Sequence, residues 1–125
     1  MSSSSSVKTG LMERRQLGTT NLAVSRIGLG CVTFGREISE DDSFRILDYA
    51  FENGIQLFDT AESYGEIKDP SAYASGGMRG SMHASEKVLG RWLRSRGCRN
   101  EVVLQSKISS RLTKVAVREA LEATL

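Results

Sequence analysis

Apolar and polar positions alternate every second residue early in the chain and take up a helical spacing later. "ERRQLG" and "LAVS", parted by the polar "TTN", predict a hairpin of two short strands. "RIGLGC" predicts a brief third strand with Ile27 and Leu29 on one face, running into the loop "VTFGREI". The period then changes. Phe44, Leu47, Ala50 and Phe51 share one helical stripe, with Ser39 and Asp42 spaced as a capping box and Asn53-Gly54 as the stop. "IQLFD" predicts the next strand. A second helix from near Ser85 carries Val88, Leu89, Trp92 and Leu93 on one face and ends at Gly97. "EVVLQSK" predicts a strand whose Val102-Val103-Leu104 run suits burial on both faces. A third helix from about Thr113 sets Val117, Ala120, Leu121 and Thr124 on its apolar side. The order hairpin, β, α, β, α, β, α means parallel βα units.

Two segments stand outside this pattern. The opening "MSSSSSVKTG" lacks the apolar centre of a secretory signal, so residues 1–11 are expected to be a disordered Ser-rich tail before a domain spanning 12–125. Glu66 to Ala84, "EIKDPSAYASGGMRGSMHA", is Gly- and Ser-rich without periodicity and is expected to be a long irregular loop. At Leu125 the helical pattern is still running, with no Gly, Asn or basic last turn, which reads as a truncation.

Composition narrows the classes. With 39% hydrophobic and 26% charged residues, the chain fits one globular unit. No apolar run approaches the roughly 18 residues of a spanning helix, so no membrane partner is expected. Seventeen basic against 15 acidic residues is too mild a balance to argue for nucleic acid. The local cluster "RWLRSRGCR" is expected to be solvated charge at a helix end. Cys31 and Cys98 form no metal spacing and fit reduced thiols in a cytoplasmic protein. The single histidine, His83, has no second ligand at helical spacing, so no metal is expected.

The stretch "FDTAESYG" carries the candidate chemistry. Asp59 sits where an apolar strand runs out, Tyr64 follows in the loop, and Lys107 ends the next predicted strand. In a parallel α/β barrel the groups that do chemistry project from such C-terminal strand ends. A carboxylate and an ammonium within reach keep each other charged, and an ammonium beside a phenol eases loss of its proton. Spacing alone leaves this reading level with a structural ion pair beside an exposed tyrosine. "GLGCVTFG" fails as a dinucleotide fingerprint: Thr33 stands at the third glycine's place and the helix opens only after Gly35.

Together, "RRQLGTTNLAVSRIGLGC", "FDTAESYG", "SEKVLGRWL" and "VVLQSK" resemble, in this order, the N-terminal part of an aldo-keto reductase. The resemblance implies the first portion, a hairpin plus about three βα units, of a (β/α)8 TIM barrel. It also implies reduction of small-molecule aldehydes or ketones with NADPH. By motif match Asp59, Tyr64 and Lys107 are the catalytic aspartate, proton-donating tyrosine and lysine, and Gly30, Cys31, Val32 and Thr33, with Asp59, border the nicotinamide. The family's catalytic histidine follows a strand this chain does not reach, and that role is not given to His83. The Glu66–Ala84 link is longer than the family's and would sit over the site. The 125-residue chain alone is expected to be inactive and prone to self-association; a non-catalytic NADPH-binding relative is the alternative.

Overall fold

The computed structural model describes residues 12–67, 80–108 and 112–124. The tail predicted for 1–11 and the middle of the Glu66–Ala84 stretch lie outside the described residues. In chain order the elements are β1 (Arg14–Gln16), β2 (Ala23–Ser25), β3 (Gly28–Gly30), α1 (Glu40–Glu52), β4 (Leu57–Asp59), β5 (Glu66–Ile67), β6 (Gly80–Ser81), α2 (Ala84–Arg96), a 3-10 turn (Arg99–Glu101), β7 (Val103–Gln105) and α3 (Lys114–Thr124). β1 and β2 form the antiparallel hairpin. β3, β4 and β7 form a parallel sheet in that order, each linked to the next through a helix, as βα units require.

The predicted helix signals operate as local chemistry. Ser39 Oγ accepts the Asp42 N–H at 3.2 Å and caps α1, a contact worth about 1 kcal/mol. Asp42 itself turns to Arg45, so the reciprocal half of the expected box is replaced by an exposed ion pair. At the other end the Gly54 N–H reaches the Phe51 carbonyl and the Ile55 N–H reaches Ala50, a Schellman close. Gly54 makes it possible with φ +90°, and a Cβ there would lie 2.7 Å from the Met12 side chain. α2 ends likewise at Gly97, φ 63°.

One buried amide ties the hairpin to the sheet. Gln56, just before β4, donates from Nε2 to the Ala23 carbonyl at 3.0 Å. Its N–H donates to Ser25 Oγ, and its Oε1 accepts the Ser25 N–H. Its carbonyl accepts the Val103 N–H at 2.7 Å, so hairpin, β4 and β7 meet at one residue. The hairpin is therefore held at the N-terminal end of the sheet, opposite the strand ends that matter below.

The helices cover one face of the sheet around Trp92, which is fully buried. Its ring meets Phe51 and Phe58 edge-on, with centroids 5.8 and 5.6 Å away. Such aromatic pairs add about 0.5–1.5 kcal/mol beyond burial. The indole N–H donates to Asp48 Oδ1 at 2.8 Å, and Arg96 grips the same carboxylate through Nε and Nη2. Arg91 pairs with Glu40 at the opposite end of the same interface. The basic cluster expected to be simply solvated thus places two of its arginines on α1. Helix periodicity could not show this, because the acidic partners lie on another element.

Several burial expectations change. Val102 is buried, but Val103 and Leu104 are only half-buried: among the described residues β7 is an edge strand with one neighbour, β4. Ile27 lies outside β3 and is 57% exposed. On α3, Val117 and Leu121 of the expected apolar side are exposed. The irregular link also proves to have structured ends, since Glu66 pairs with Ser81 and Ile67 with Gly80 in an antiparallel ladder.

Trp92→Ala is expected to cost about 3–5 kcal/mol, read as a fall in the denaturation midpoint, the penalty typical of an emptied aromatic site. A loss below about 1 kcal/mol would mean that Trp92 does not organise this core. The Arg96 guanidinium, with the Trp92 indole adding to it and partial burial opposing, holds the Asp48 carboxyl below the usual carboxylate range. A depressed folded-state value contributes stability above the unfolded value of about 3.9 and loses it as pH falls through the folded one. The gap between wild type and Asp48→Asn should therefore be constant near neutrality and shrink below about pH 4 in acid titrations followed by Trp92 fluorescence.

Candidate active site

Register decides what the strand ends can do. Gly30, Asp59 and Gln105 lie in one row across β3, β4 and β7. Beyond that row backbone bonds carry the ladder into the loops: Cys31 N–H to the Asp59 carbonyl, Thr60 N–H to Gln105, and Glu62 N–H to Lys107. Lys107 consequently folds back across the row. Its Nζ donates to Asp59 Oδ1 at 2.7 Å and to the Thr60 carbonyl at 2.8 Å. The same ammonium stands 4.9 Å from the centre of the Tyr64 ring, within the range of a cation–π contact. The three residues singled out in the sequence are brought together.

Tyr64 is held by its backbone. Its N–H donates to the Ala61 carbonyl and its carbonyl accepts the Ser85 N–H from the first turn of α2. For Lys107, burial is the largest single influence and pulls the ammonium down, but the Asp59 carboxylate and Tyr64 together outweigh it and raise it above the usual lysine value. The ion pair is open, with the Lys107 and Asp59 side chains 43% and 34% exposed. Pairs this exposed contribute about 0–1 kcal/mol, too little to be what the fold depends on.

The Gly30–Thr33 turn lies beside this cluster. A Cβ on Gly30 would meet nothing within 4 Å, so the end of β3 is an open floor next to Asp59. Cys31 presents its backbone there and sends its side chain into the core; burial, reinforced by the Asp59 charge, pushes the thiol up to about 12. Val32 and Thr33 are half-buried, and the Thr33 carbonyl closes the turn by accepting the N–H groups of Arg36 and Ile38.

Two further residues went unnoticed in the sequence. The buried hydroxyls of Thr60 and Ser85 lie 2.8 Å apart, and Ser85 Oγ donates to the Cys31 carbonyl at 2.7 Å. With the Ser85 proton committed to Cys31, Thr60 must be the donor to Ser85. This line connects the carbonyl side of the β3 turn to Thr60, whose own carbonyl holds Lys107. A serine at the start of a helix reads as a cap, which concealed its other use. Among the described residues no group of three or more His, Cys, Asp or Glu side chains is arranged to hold a metal. A groove of about 540 Å³ runs from Thr60, Glu86 and Ser106 between α2 and the β7 edge, with Leu89, Leu93 and Leu104 in its wall.

The profile of the Aldo/keto reductase family matches residues 26–125. The chain belongs to that family. It is 41% identical over 98 residues to the uncharacterized oxidoreductase YrpG of Bacillus subtilis, covering 78% of this chain and 26% of that one. A Pseudomonas aeruginosa structure named as an aldo-keto reductase superposes with a TM-score of 0.69 and 34% identity, covering 90% of this chain and 40% of its own. The holo form of an aldo-keto reductase from Bacillus halodurans gives 0.66 and 30%, covering 91% and 35%. The chain thus spans about a quarter of the length of YrpG and well under half of the two structures. These neighbours are TIM barrels, and this aldo/keto reductase chain supplies the hairpin and first three βα units of that architecture, an open parallel sheet among its described residues.

The raised value of Lys107 gives a signed expectation. A group raised on folding contributes stability that is fully present below its unfolded value, 10.5, and is lost as pH rises through the folded value. The stability difference between wild type and Lys107→Met should be flat from neutrality to about pH 10 and decline only above it. A difference that already changes near pH 7 would mean that Lys107 is not paired as described.

Proposed function

We propose that these residues serve a carbonyl-reducing oxidoreductase, converting aldehydes or ketones to alcohols with NADPH. What carries this reading is the single ammonium of Lys107 shared between Asp59 Oδ1 at 2.7 Å and the Tyr64 ring at 4.9 Å. Tyr64 acts as general acid, giving its phenolic proton to the carbonyl oxygen as the carbon is reduced. Lys107 supports the negative charge left on the phenol, and Asp59 fixes Lys107 and balances its charge. The exposed pair contributes little to stability, which favours a chemical role over a structural one.

The residues present fit a nicotinamide cofactor. The open floor at Gly30, the Cys31 backbone, Val32 and Thr33 lie beside Asp59, where a flat ring can approach main chain without meeting a side chain. The bound dinucleotide supplies the hydride. The chain's own groups place the carbonyl, deliver one proton and hold the charge that results.

We further propose that the 125-residue chain is inactive by itself. β3 and β7 are unpaired on their outer sides among the described residues, and Val115 and Leu121 on α3 are 66% and 55% exposed. Open edges and apolar faces of this kind favour self-association. A cytoplasmic setting suits the two buried, unbridged cysteines.

The decisive experiment completes the barrel by placing residues 26–125 in the matching segment of the Bacillus halodurans enzyme. Tyr64→Phe in that protein should lower kcat for an aromatic aldehyde by about 10²–10⁴-fold, the usual contribution of a general acid, while NADPH still binds by fluorescence titration. Retention of half the turnover would remove Tyr64 from the proposed role. The unmodified 125-residue chain should show no NADPH oxidation above background, with light scattering reporting species larger than a monomer.

A further inference from the structure

We infer that Glu86 is a positioning residue, tying His83 at the start of α2 to the strand end that carries Lys107; its link to chemistry rests on the function proposed above. Glu86 is the third residue of α2, where a glutamate ordinarily reaches back to the N–H of the capping residue. Here the capping residue is His83, whose N–H is already donated to the Glu62 carbonyl at 2.7 Å. The carboxylate points elsewhere. Oε2 lies 2.6 Å from His83 Nδ1, and Oε1 accepts the hydroxyl proton of Ser106, the residue before Lys107.

A closed circuit results. His83 donates to Glu62, whose N–H donates to the Lys107 carbonyl. Lys107 is bonded through the chain to Ser106, and Ser106 returns through Glu86 to His83. An independent observation marks the same place. His83 has φ 68° and is the one non-glycine residue with positive φ among those described. Such strain persists where the surroundings over-determine a conformation, and it clusters at functional positions. The Glu86 side chain is 10% exposed, while His83 is 37% exposed and Ser106 is exposed. The turn at His83 is fastened to the Lys107 carbonyl through Glu62 and to the Ser106 hydroxyl through Glu86, and any displacement of it reaches the Asp59–Lys107 pair by those two routes.

An ionised carboxylate only accepts, so His83 must carry its proton on Nδ1 toward Glu86. The chain has one histidine, so one pair of ring nitrogen signals reports the circuit, in solution or in the solid if the chain associates. With histidine labelled by nitrogen-15, in alkaline buffer, the wild-type chain should show the Nδ1–H tautomer. Glu86→Ala should lose that preference. Ser106→Ala should shift the ring signals in the same direction and Ser106→Thr, which keeps the hydroxyl, should restore them. Unchanged ring signals in Glu86→Ala, or Ser106→Ala and Ser106→Thr giving the same spectrum, would overturn the inference, and the serine pair decides should Glu86→Ala fail to fold. In the completed barrel Glu86→Ala should lower kcat about tenfold to a hundredfold with NADPH affinity unchanged, as expected when a reacting group is misplaced by a fraction of an ångström to an ångström. An unaltered kcat there also counts against it. Absence of turnover in the unsubstituted barrel would sink the reductase reading, and the ring signals would still decide the circuit.

Discussion

The parallel register of β3, β4 and β7 is the constraint on which the other features depend. Side chains on neighbouring parallel strands share a face only when the register is fixed, and a slip of one residue would turn Asp59 to the opposite face. Gly30, Asp59 and Gln105 stand in one row, and the backbone bonds beyond that row bring Thr60, Glu62 and Lys107 over it. Lys107 reaches Asp59 because the ladder continues past the strands. A lysine on a free loop would have to spend side-chain and backbone entropy to make the same contact.

What holds the register is divided between the two ends of the sheet. At the N-terminal end the Gln56 side-chain amide satisfies Ala23 and Ser25 while its backbone carbonyl takes Val103, so the hairpin and two strands are fixed at one buried residue. At the C-terminal end the Thr60 and Ser85 hydroxyls and the Cys31 carbonyl do the corresponding work. Between them Trp92, Phe51 and Phe58 fill the space under α1 and α2. The apolar layer supplies most of the burial, and the polar contacts above and below it define which strand end meets which. A buried polar group left unpaired costs about 1–3 kcal/mol, so each such contact disfavours alternative pairings even where its own net contribution is small.

The ion pairs of the strand ends and of the helix interface are separated in this arrangement. The Arg96–Asp48 and Arg91–Glu40 pairs lie between the helices, away from the strand ends, and are about as exposed as the Lys107–Asp59 pair. The pair at the strand end is exposed and contributes little to the fold. Its groups stay accessible to solvent. The turn at His83, just after Gly80–Ser81, is fastened through Glu62 to the Lys107 carbonyl.

The order of elements, both helix stops, the Ser39 cap and the stripe through Leu47, Ala50, Val88, Leu89 and Trp92 were legible because they follow from interactions a few residues apart. Asp59, Tyr64 and Lys107 were legible as a set because βα alternation implies that strand ends share one edge, and family motifs fall on them. Burial of β7 on both faces was misread: the run Val102-Val103-Leu104 records the tendency to be buried, whereas exposure depends on which neighbours are present. Thr60, Ser85, Gln56 and Glu86 were hidden for a related reason. Each is a common polar residue whose importance comes from partners 20 or more positions away. Short-range periodicity determined which segments are helices and strands. Only the tertiary structure decided which polar groups meet, because a hydrogen bond is fixed by distance and direction in space and leaves no repeat along the chain.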